Sequence, residues 1–68
     1  MYRVNWTYEQ QGKRYFVIEY GFKRYLKKRV ETIRKQSNVL NVEMNKFSLS
    51  LKDVIHAIKK TRYIYELN

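Results

Sequence analysis

Basic side chains are the most numerous groups in this sequence that could do chemistry. The 68 residues include 15 lysines and arginines against 6 aspartates and glutamates, which gives a formal net charge of +9. Ammonium and guanidinium groups bind phosphates and carboxylates, so an excess of this size predicts a polyanion or an acidic surface as the partner. The candidate contact residues lie in three segments of the chain: Lys13, Arg14, Lys23, Arg24, Lys27, Lys28, Arg34, Lys35, Lys59, Lys60 and Arg62.

Groups for catalysis or metal binding are few. The carboxylates are dispersed, and none forms a close pair in sequence that could share acid and base roles. There is no cysteine, and the single histidine, His56, falls on a predicted helix away from its apolar stripe, where we expect a solvated side chain. A chain near this length buries only about 60% of its unfolded surface, too little for both a full core and a deep pocket. We therefore predict a protein that is not an enzyme, with no catalytic residue, metal site or cofactor.

Aromatic residues alternate with the cations in the stretches GKRYF, FKRYLKK and KKTRYIY. If their rings are exposed, Tyr15, Tyr25 and Tyr63 could stack on the bases of a single strand. The competing interpretation is that these tyrosines form the edge of the core, as aromatic side chains of a small domain commonly do.

The segment FKRYLKKRVETIRKQ predicts a first helix. Its apolar residues recur at spacings of four, four and three and form one stripe: Phe22, Leu26, Val30 and Ile33. Six candidate cations fall on the opposite side, with Glu31 the only acid among them, and Arg29 lies at the edge of the stripe, where its stem can pack. Like charges at these spacings cost a few tenths of a kcal/mol per pair, a cost that an anionic partner would offset.

The first 20 residues predict a hairpin, with Tyr2, Val4, Trp6 and Tyr8 alternating onto one face. A two-residue turn at Gln11-Gly12 would set Trp6 against Val17 and split the apolar residues between both faces. A three-residue loop, with Gly12 as a left-handed bulge residue, sets Trp6 against Phe16 and gives one apolar face. We predict the second register, which places Glu19 beside Arg3 on the mixed face.

The second half of the chain predicts another hairpin and another helix. Leu40, Val42 and Met44 alternate in one strand and Phe47, Leu49 and Leu51 in the next, with a turn at Asn45-Lys46. Ser50 and Asp53 resemble a helix start, and the inward stripe of that helix is Leu51, Val54, Ile55 and Ile58. Residues 62–68 could extend the helix or form a strand.

These elements predict one α+β domain over residues 1–68. It has a small antiparallel sheet from two hairpins, with two helices packed on one face, in the order ββαββα and with a possible C-terminal strand. Apolar runs are far shorter than the ~20 residues of a membrane span, and no secretory signal pattern opens the sequence. We expect a soluble, cytoplasmic protein that does not bind a membrane.

The Gly12-Lys13-Arg14 turn is followed by Gly21-Phe22 at the start of the basic helix. With the flanking strands, this pattern resembles the N-terminal arm-site-binding domain of phage and transposon integrases, over residues 6 to about 30. The resemblance implies a short sheet packed on a helix, with the outer face of the sheet in the major groove of DNA. That family places its third strand before the helix, Glu9 and Glu19 would lie on the DNA-binding face here, and residues 39–68 have no counterpart.

Charge and pattern together predict a small basic nucleic-acid-binding protein, with DNA rather than RNA as the expected partner, acting as an accessory protein of a phage or another mobile element. The alternative is a phage-type inhibitor or modulator that binds an acidic surface of a host protein, where the same cations would steer association. A basic amphipathic helix lying on a membrane is a third option, which we rank lowest because the apolar stripe is needed to cover the sheet. Base specificity and oligomeric state are not indicated by the sequence.

Overall fold

Strands and helices alternate along the chain. The computed structural model describes residues 2–46 and 51–67, apart from the side chain of Asp53. Neither helix within these ranges has the length and apolar character needed to cross a membrane. The elements are β1 (Tyr2–Gln10), β2 (Lys13–Gly21), α1 (Lys23–Arg34), β3 (Val39–Lys46), α2 (Leu51–Lys59) and β4 (Arg62–Leu67).

The strands form one four-stranded sheet in the order β3-β1-β2-β4, with every neighbouring pair antiparallel. The α+β class is confirmed, but the order along the chain is β1β2α1β3α2β4. The predicted second hairpin is wrong, because Asn45 and Lys46 belong to β3 and Leu51 begins α2. Phe47, Leu49 and the predicted cap Ser50 lie outside the described residues. Of the two options for the C-terminal segment, the strand is observed.

The first hairpin has the two-residue turn, so the predicted register is wrong. Trp6 pairs with Val17, Thr7 with Phe16 and Gln10 with Lys13. Gln11 and Gly12 both have positive φ, 53° and 77°, which is the geometry of a type I′ turn. This turn matches the right-handed twist of the flanking strands, and that fit outweighs the cost of holding glutamine in a left-handed conformation.

Helix α1 covers one face of the sheet and forms the core with it. Leu26 and Ile33 are completely buried and pack with Val4, Trp6 and Val17. Each such side chain stabilises the fold by about 1.5–3 kcal/mol when it leaves water. Because Val4 pairs with Glu19, the Glu19 side chain also points to this face and not to the mixed face beside Arg3.

The opposite face carries the other apolar residues of β2, and α2 contacts it at Tyr63. The Tyr63 hydroxyl donates a hydrogen bond of 2.7 Å to the His56 carbonyl, and the Tyr63 ring meets Tyr20 edge-on. Tyr63 pairs with Ile18, whose side chain points away from α1, so α2 contacts this second face. The prediction that both helices pack on one face is therefore wrong, and Leu51 and Ile58 are exposed, contrary to the predicted inward stripe.

The turn provides a test of the hairpin register. Gln11→Asn should raise the free energy of unfolding, since asparagine tolerates positive φ better than glutamine. Gly12→Ala should lower the free energy of unfolding by about 1 kcal/mol, because alanine is strained at the positive φ of this position. A steric clash does not contribute, since the added methyl group has no atom within 4 Å apart from its chain neighbours. Urea unfolding of both variants would check this, and a neutral result for Gly12→Ala would contradict the turn geometry.

Candidate nucleic-acid interface

A row of cations covers the solvent side of α1, opposite Leu26 and Ile33. The helix has 12 residues, so the row extends about 17 Å at 1.5 Å per residue. Its members are all exposed, and we call them the basic row: Lys23, Arg24, Lys27, Lys28, Arg34 and Lys35. This placement agrees with the helical periodicity of the sequence.

The basic row is not neutralised within the part of the chain that the structure describes. The ion pairs found there involve Lys13, Arg14, Arg29 and Arg62, and none involves a member of the row. Glu31 is exposed among these cations without a described ion pair. The row therefore leaves its charge available to an external anion.

The first turn of α1 concentrates positive charge at the start of the helix. The N-cap residue Phe22 makes no side-chain cap hydrogen bond, and the first turn contains no acid. Lys23 and Arg24 sit there instead, where the helix dipole disfavours cations by about 0.3–1 kcal/mol each. Phe22 itself is 75% exposed, which corrects its predicted place in the apolar stripe. The start of α1 is thus both cationic and open.

A buried carboxylate fixes the orientation of α1. Glu19 on β2 is 3% exposed, and its two carboxylate oxygens accept hydrogen bonds from Nε and Nη2 of Arg29 on α1, at 3.0 Å each. The Trp6 indole N–H on β1 donates to it at 2.8 Å, and Arg62 on β4 lies at 3.5 Å. Four elements therefore meet at one carboxyl group. With Arg29 drawn inward, the basic row must face outward.

The Glu19 carboxyl group is charged in the folded protein. Burial by itself raises its pKa, but the hydrogen bonds from Arg29 and Trp6 and the charges of Arg29 and Arg62 together hold the pKa below its ordinary value. The same hydrogen bond raises the pKa of Arg29. The pair is therefore an internal salt bridge and takes no part in the exposed charge.

The other predicted contact residues lie elsewhere, several with intramolecular partners. Lys13 pairs with Glu66 at 3.4 Å and Arg14 with Glu9 at 3.5 Å, both between exposed side chains. Arg62 pairs with Glu19. Lys59 ends α2, and the Lys60 ammonium lies 5.9 Å from the centre of the Tyr63 ring. The structure thus brings six of the eleven candidates together and gives Lys13, Arg14 and Arg62 acidic partners.

The three candidate stacking tyrosines differ in their surroundings. Tyr15 stacks on Tyr8 at 5.0 Å, and Tyr63 contacts His56 and Tyr20. Tyr25 on α1 is 54% exposed, whereas Tyr15 and Tyr63 are partly buried. Of these three, Tyr25 is the one placed for base stacking.

An open groove runs between α1 and the outer strand β4. Its volume is about 490 Å³, and Trp6, Val17 and Ile64 contribute apolar walls beside Arg29 and Arg62. Glu19 accepts hydrogen bonds from both arginines. The five named residues include no carboxylate and no nucleophile that could act on a bound molecule. Within the described residues, no three histidine or acidic side chains come together to hold a metal ion.

No protein-family model, curated protein or solved structure matches this chain. The similarity to integrase arm-binding domains therefore stays a prediction, and it is limited to the order β1, β2, α1, since β3 follows the helix here. Glu19 does not lie on the outer face of the sheet, which corrects its predicted place on the DNA-binding face.

Sequence reasoning missed the Glu19–Arg29 pair, and one signal could have indicated it. A buried tryptophan needs an acceptor for its indole N–H. In the two-residue-turn register, Glu19 is the acid that shares a face with Trp6. The register that collects the apolar residues on a single face places Glu19 on the face opposite Trp6, so it does not indicate Glu19 as the acceptor.

The salt bridge can be tested by removing one partner. Arg29→Met should lower the free energy of unfolding by about 3 kcal/mol, because it leaves a buried carboxylate short of its main partner. The matched change Arg62→Met should cost less than about 1 kcal/mol, since Arg62 is half exposed and its contact is longer. Chemical unfolding at neutral pH measures both, and equal effects would contradict the central role of Arg29.

Acid should weaken the fold through Glu19. Its folded pKa lies below the unfolded value, so its contribution is present above about pH 4.3 and is lost as the pH falls through the lower folded value. The stability difference between the wild type and Glu19→Gln should therefore be largest near pH 7 and shrink on acidification. Thermal unfolding between about pH 7 and 3 tests this, with Glu43→Gln, at an exposed carboxylate without a described ion pair, as control. A difference that does not change with pH would refute the assignment.

Proposed function

We propose that this chain is a small, non-enzymatic nucleic-acid-binding protein that contacts phosphates through the basic row of α1. The observation that carries the proposal is that these cations lie on one helix face without described intramolecular ion pairs. Phosphate is the anion that such a row meets most densely, since duplex DNA carries one charge per about 1.7 Å of helix axis. The proposal includes DNA as the nucleic acid that is bound, a cytoplasmic location and an accessory role for a mobile element.

The geometry suits backbone contact better than base reading. A row of about 17 Å is long enough to follow several phosphates. Lysines outnumber arginines in it, and lysine acts on phosphate as a point charge and not as a bidentate fork. We expect binding that depends weakly on sequence, with Tyr25 adding stacking where the target is single-stranded.

Salt dependence tests the proposal directly. If all six cations contact phosphates, the slope of log affinity against log salt should be near −5, and affinity should fall about a thousandfold between about 50 and 200 mM salt. Fluorescence anisotropy with labelled duplex and single-stranded DNA measures this. Absence of binding at the lower salt would overturn the proposal and favour an acidic protein surface as the partner.

Glu31 supplies a sharper test with a matched control. Glu31→Gln removes the acid within the basic row and should raise DNA affinity about two- to fivefold, since it relieves a repulsion of up to about 1 kcal/mol. Glu43→Gln makes the same charge change at an exposed site on β3 and should leave affinity nearly unchanged. Equal gains from both variants would mean that net charge, and not the row on α1, governs binding.

A further inference from the structure

The outer strand β4 is an edge on which the fold leaves several apolar side chains exposed. Ile64 is 55% exposed, and Tyr65 and Leu67 are also among the exposed large hydrophobic residues. The other edge, β3, has one exposed aliphatic residue, Leu40, beside the exposed Asn41, Glu43, Asn45 and Lys46, and its register with β1 shifts between Thr7 and Tyr8. Charged residues and bulges are the usual protection of an edge against pairing. The register shift protects edge β3, whereas the register of β4 with β2 is uninterrupted from Arg62 to Leu67.

The backbone of β4 has a definite set of outward donors and acceptors. The Tyr20 N–H donates to the Thr61 carbonyl at 2.9 Å, so the pair at positions 20 and 61 is hydrogen-bonded. Hydrogen-bonded and non-hydrogen-bonded pairs alternate along an antiparallel ladder. The pairs Ile18–Tyr63 and Phe16–Tyr65 are therefore bonded as well. It follows that the N–H and C=O groups of Arg62, Ile64 and Glu66 point away from the sheet.

We propose that β4 pairs antiparallel with β4 of a second copy, with Ile64 opposite Ile64 at the two-fold axis. In this register Arg62 lies opposite Glu66 of the second copy, on both sides of the axis. All the outward backbone groups of these three residues then meet bonded partners. Opposite charges directly across two strands stabilise the pairing, whereas like charges there would oppose it.

Other registers of the two β4 strands either place like charges opposite each other or leave backbone groups without hydrogen bonds. A shift of the axis to Arg62 places Arg62 opposite itself, and a shift to Glu66 places Glu66 opposite itself. A shift of the axis by one residue, to Tyr63 or Tyr65, sets Arg62 or Glu66 opposite Ile64. Some of the outward N–H and C=O groups of Arg62, Ile64 and Glu66 then lack partners among these three residues of the second copy. The strand is thus self-complementary in one register. On the other face that register pairs Tyr63 with Tyr65 of the second copy, an aromatic pair of the kind that stabilises sheets.

The dimer would have a defined shape. Paired residues of an antiparallel ladder point to the same face, so both α1 helices lie on one side of a continuous eight-stranded sheet. If the proposed function is correct, two basic rows then face the same nucleic acid. Because each copy carries +9, the dimer should strengthen as salt screens the repulsion, the reverse of the trend expected for DNA binding.

Sedimentation equilibrium of the nuclease-treated protein tests the dimer without any nucleic acid. A single added strand pair is a small interface, so the range to cover is on the order of 5–500 µM. We expect a dimer, and we expect its dissociation constant to decrease when the salt concentration is raised from about 50 to about 300 mM. Ile64→Lys, which places like charges at the axis, should weaken it about tenfold or more. Leu40→Lys is the matched control, since Leu40 is a comparably exposed aliphatic residue on edge β3, at 52%, and should leave the dimer intact.

A cysteine at the axis tests the register. The chain has no cysteine, so Ile64→Cys and Leu40→Cys each introduce a single thiol. Across a hydrogen-bonded pair the Cα atoms lie about 5.5 Å apart, within the range that a disulfide spans. Mild oxidation should therefore cross-link the Ile64→Cys variant through most of its population and the Leu40→Cys variant only slightly, on a non-reducing gel.

Two results would overturn the proposal. One is a wild-type protein that stays monomeric over the whole concentration range at the higher salt. The other is equal behaviour of the β4 and β3 variants in either experiment. Circular dichroism of each variant establishes that it is folded, and DNA binding by a monomer would leave the proposed function standing while the dimer is rejected.

Discussion

The structure depends on one buried carboxylate. Glu19 joins β2 to α1 through Arg29, to β1 through the Trp6 indole and to β4 through Arg62. A buried charge without partners costs several kcal/mol, so these elements must assemble together for the carboxylate to be satisfied. Apolar contacts of Leu26 and Ile33 hold α1 against the sheet, while the directional hydrogen bonds to Arg29 set its rotation. The outward position of the basic row is a consequence of that rotation.

Local patterns of the sequence were sufficient for the elements that depend on local physics. The spacing of Leu26 and Ile33 predicts α1 and its buried side, and the alternation of Val4 and Trp6 predicts the buried face of β1. The hairpin register was missed because it is not decided by apolar pairing alone. Pairing Trp6 with Phe16 is favoured only if the sheet has a single buried face. In the structure the second face meets Tyr63 of β4 and, through it, α2.

The part of the candidate site that was predicted correctly is the part carried by a single helix. Members of the basic row are neighbours by helical periodicity, so their common face follows from sequence. Lys13 and Arg62 are different, because their acidic partners Glu66 and Glu19 are distant in sequence and meet them through the pairing of β2 with β4. Such contacts depend on register and strand order. A sequence pattern without those two facts cannot separate a paired surface cation from an available one.

The energies explain why a helix can keep an uncompensated row of cations. Repulsion between like charges on a helix surface is a few tenths of a kcal/mol per neighbouring pair, and cations in the first turn add about 0.3–1 kcal/mol each. Burial of Leu26 and Ile33 alone contributes about 3–6 kcal/mol, before the hydrogen bonds of Arg29 are counted. The fold therefore tolerates the row but gains nothing from it. Glu9 pairs with Arg14 and Glu66 with Lys13, both cations of β2, and Glu19 pairs with Arg29. The excess positive charge therefore remains on the solvent face of α1. An arrangement that costs stability and concentrates charge on one helix face is the physical basis of the proposal that the partner is an anion.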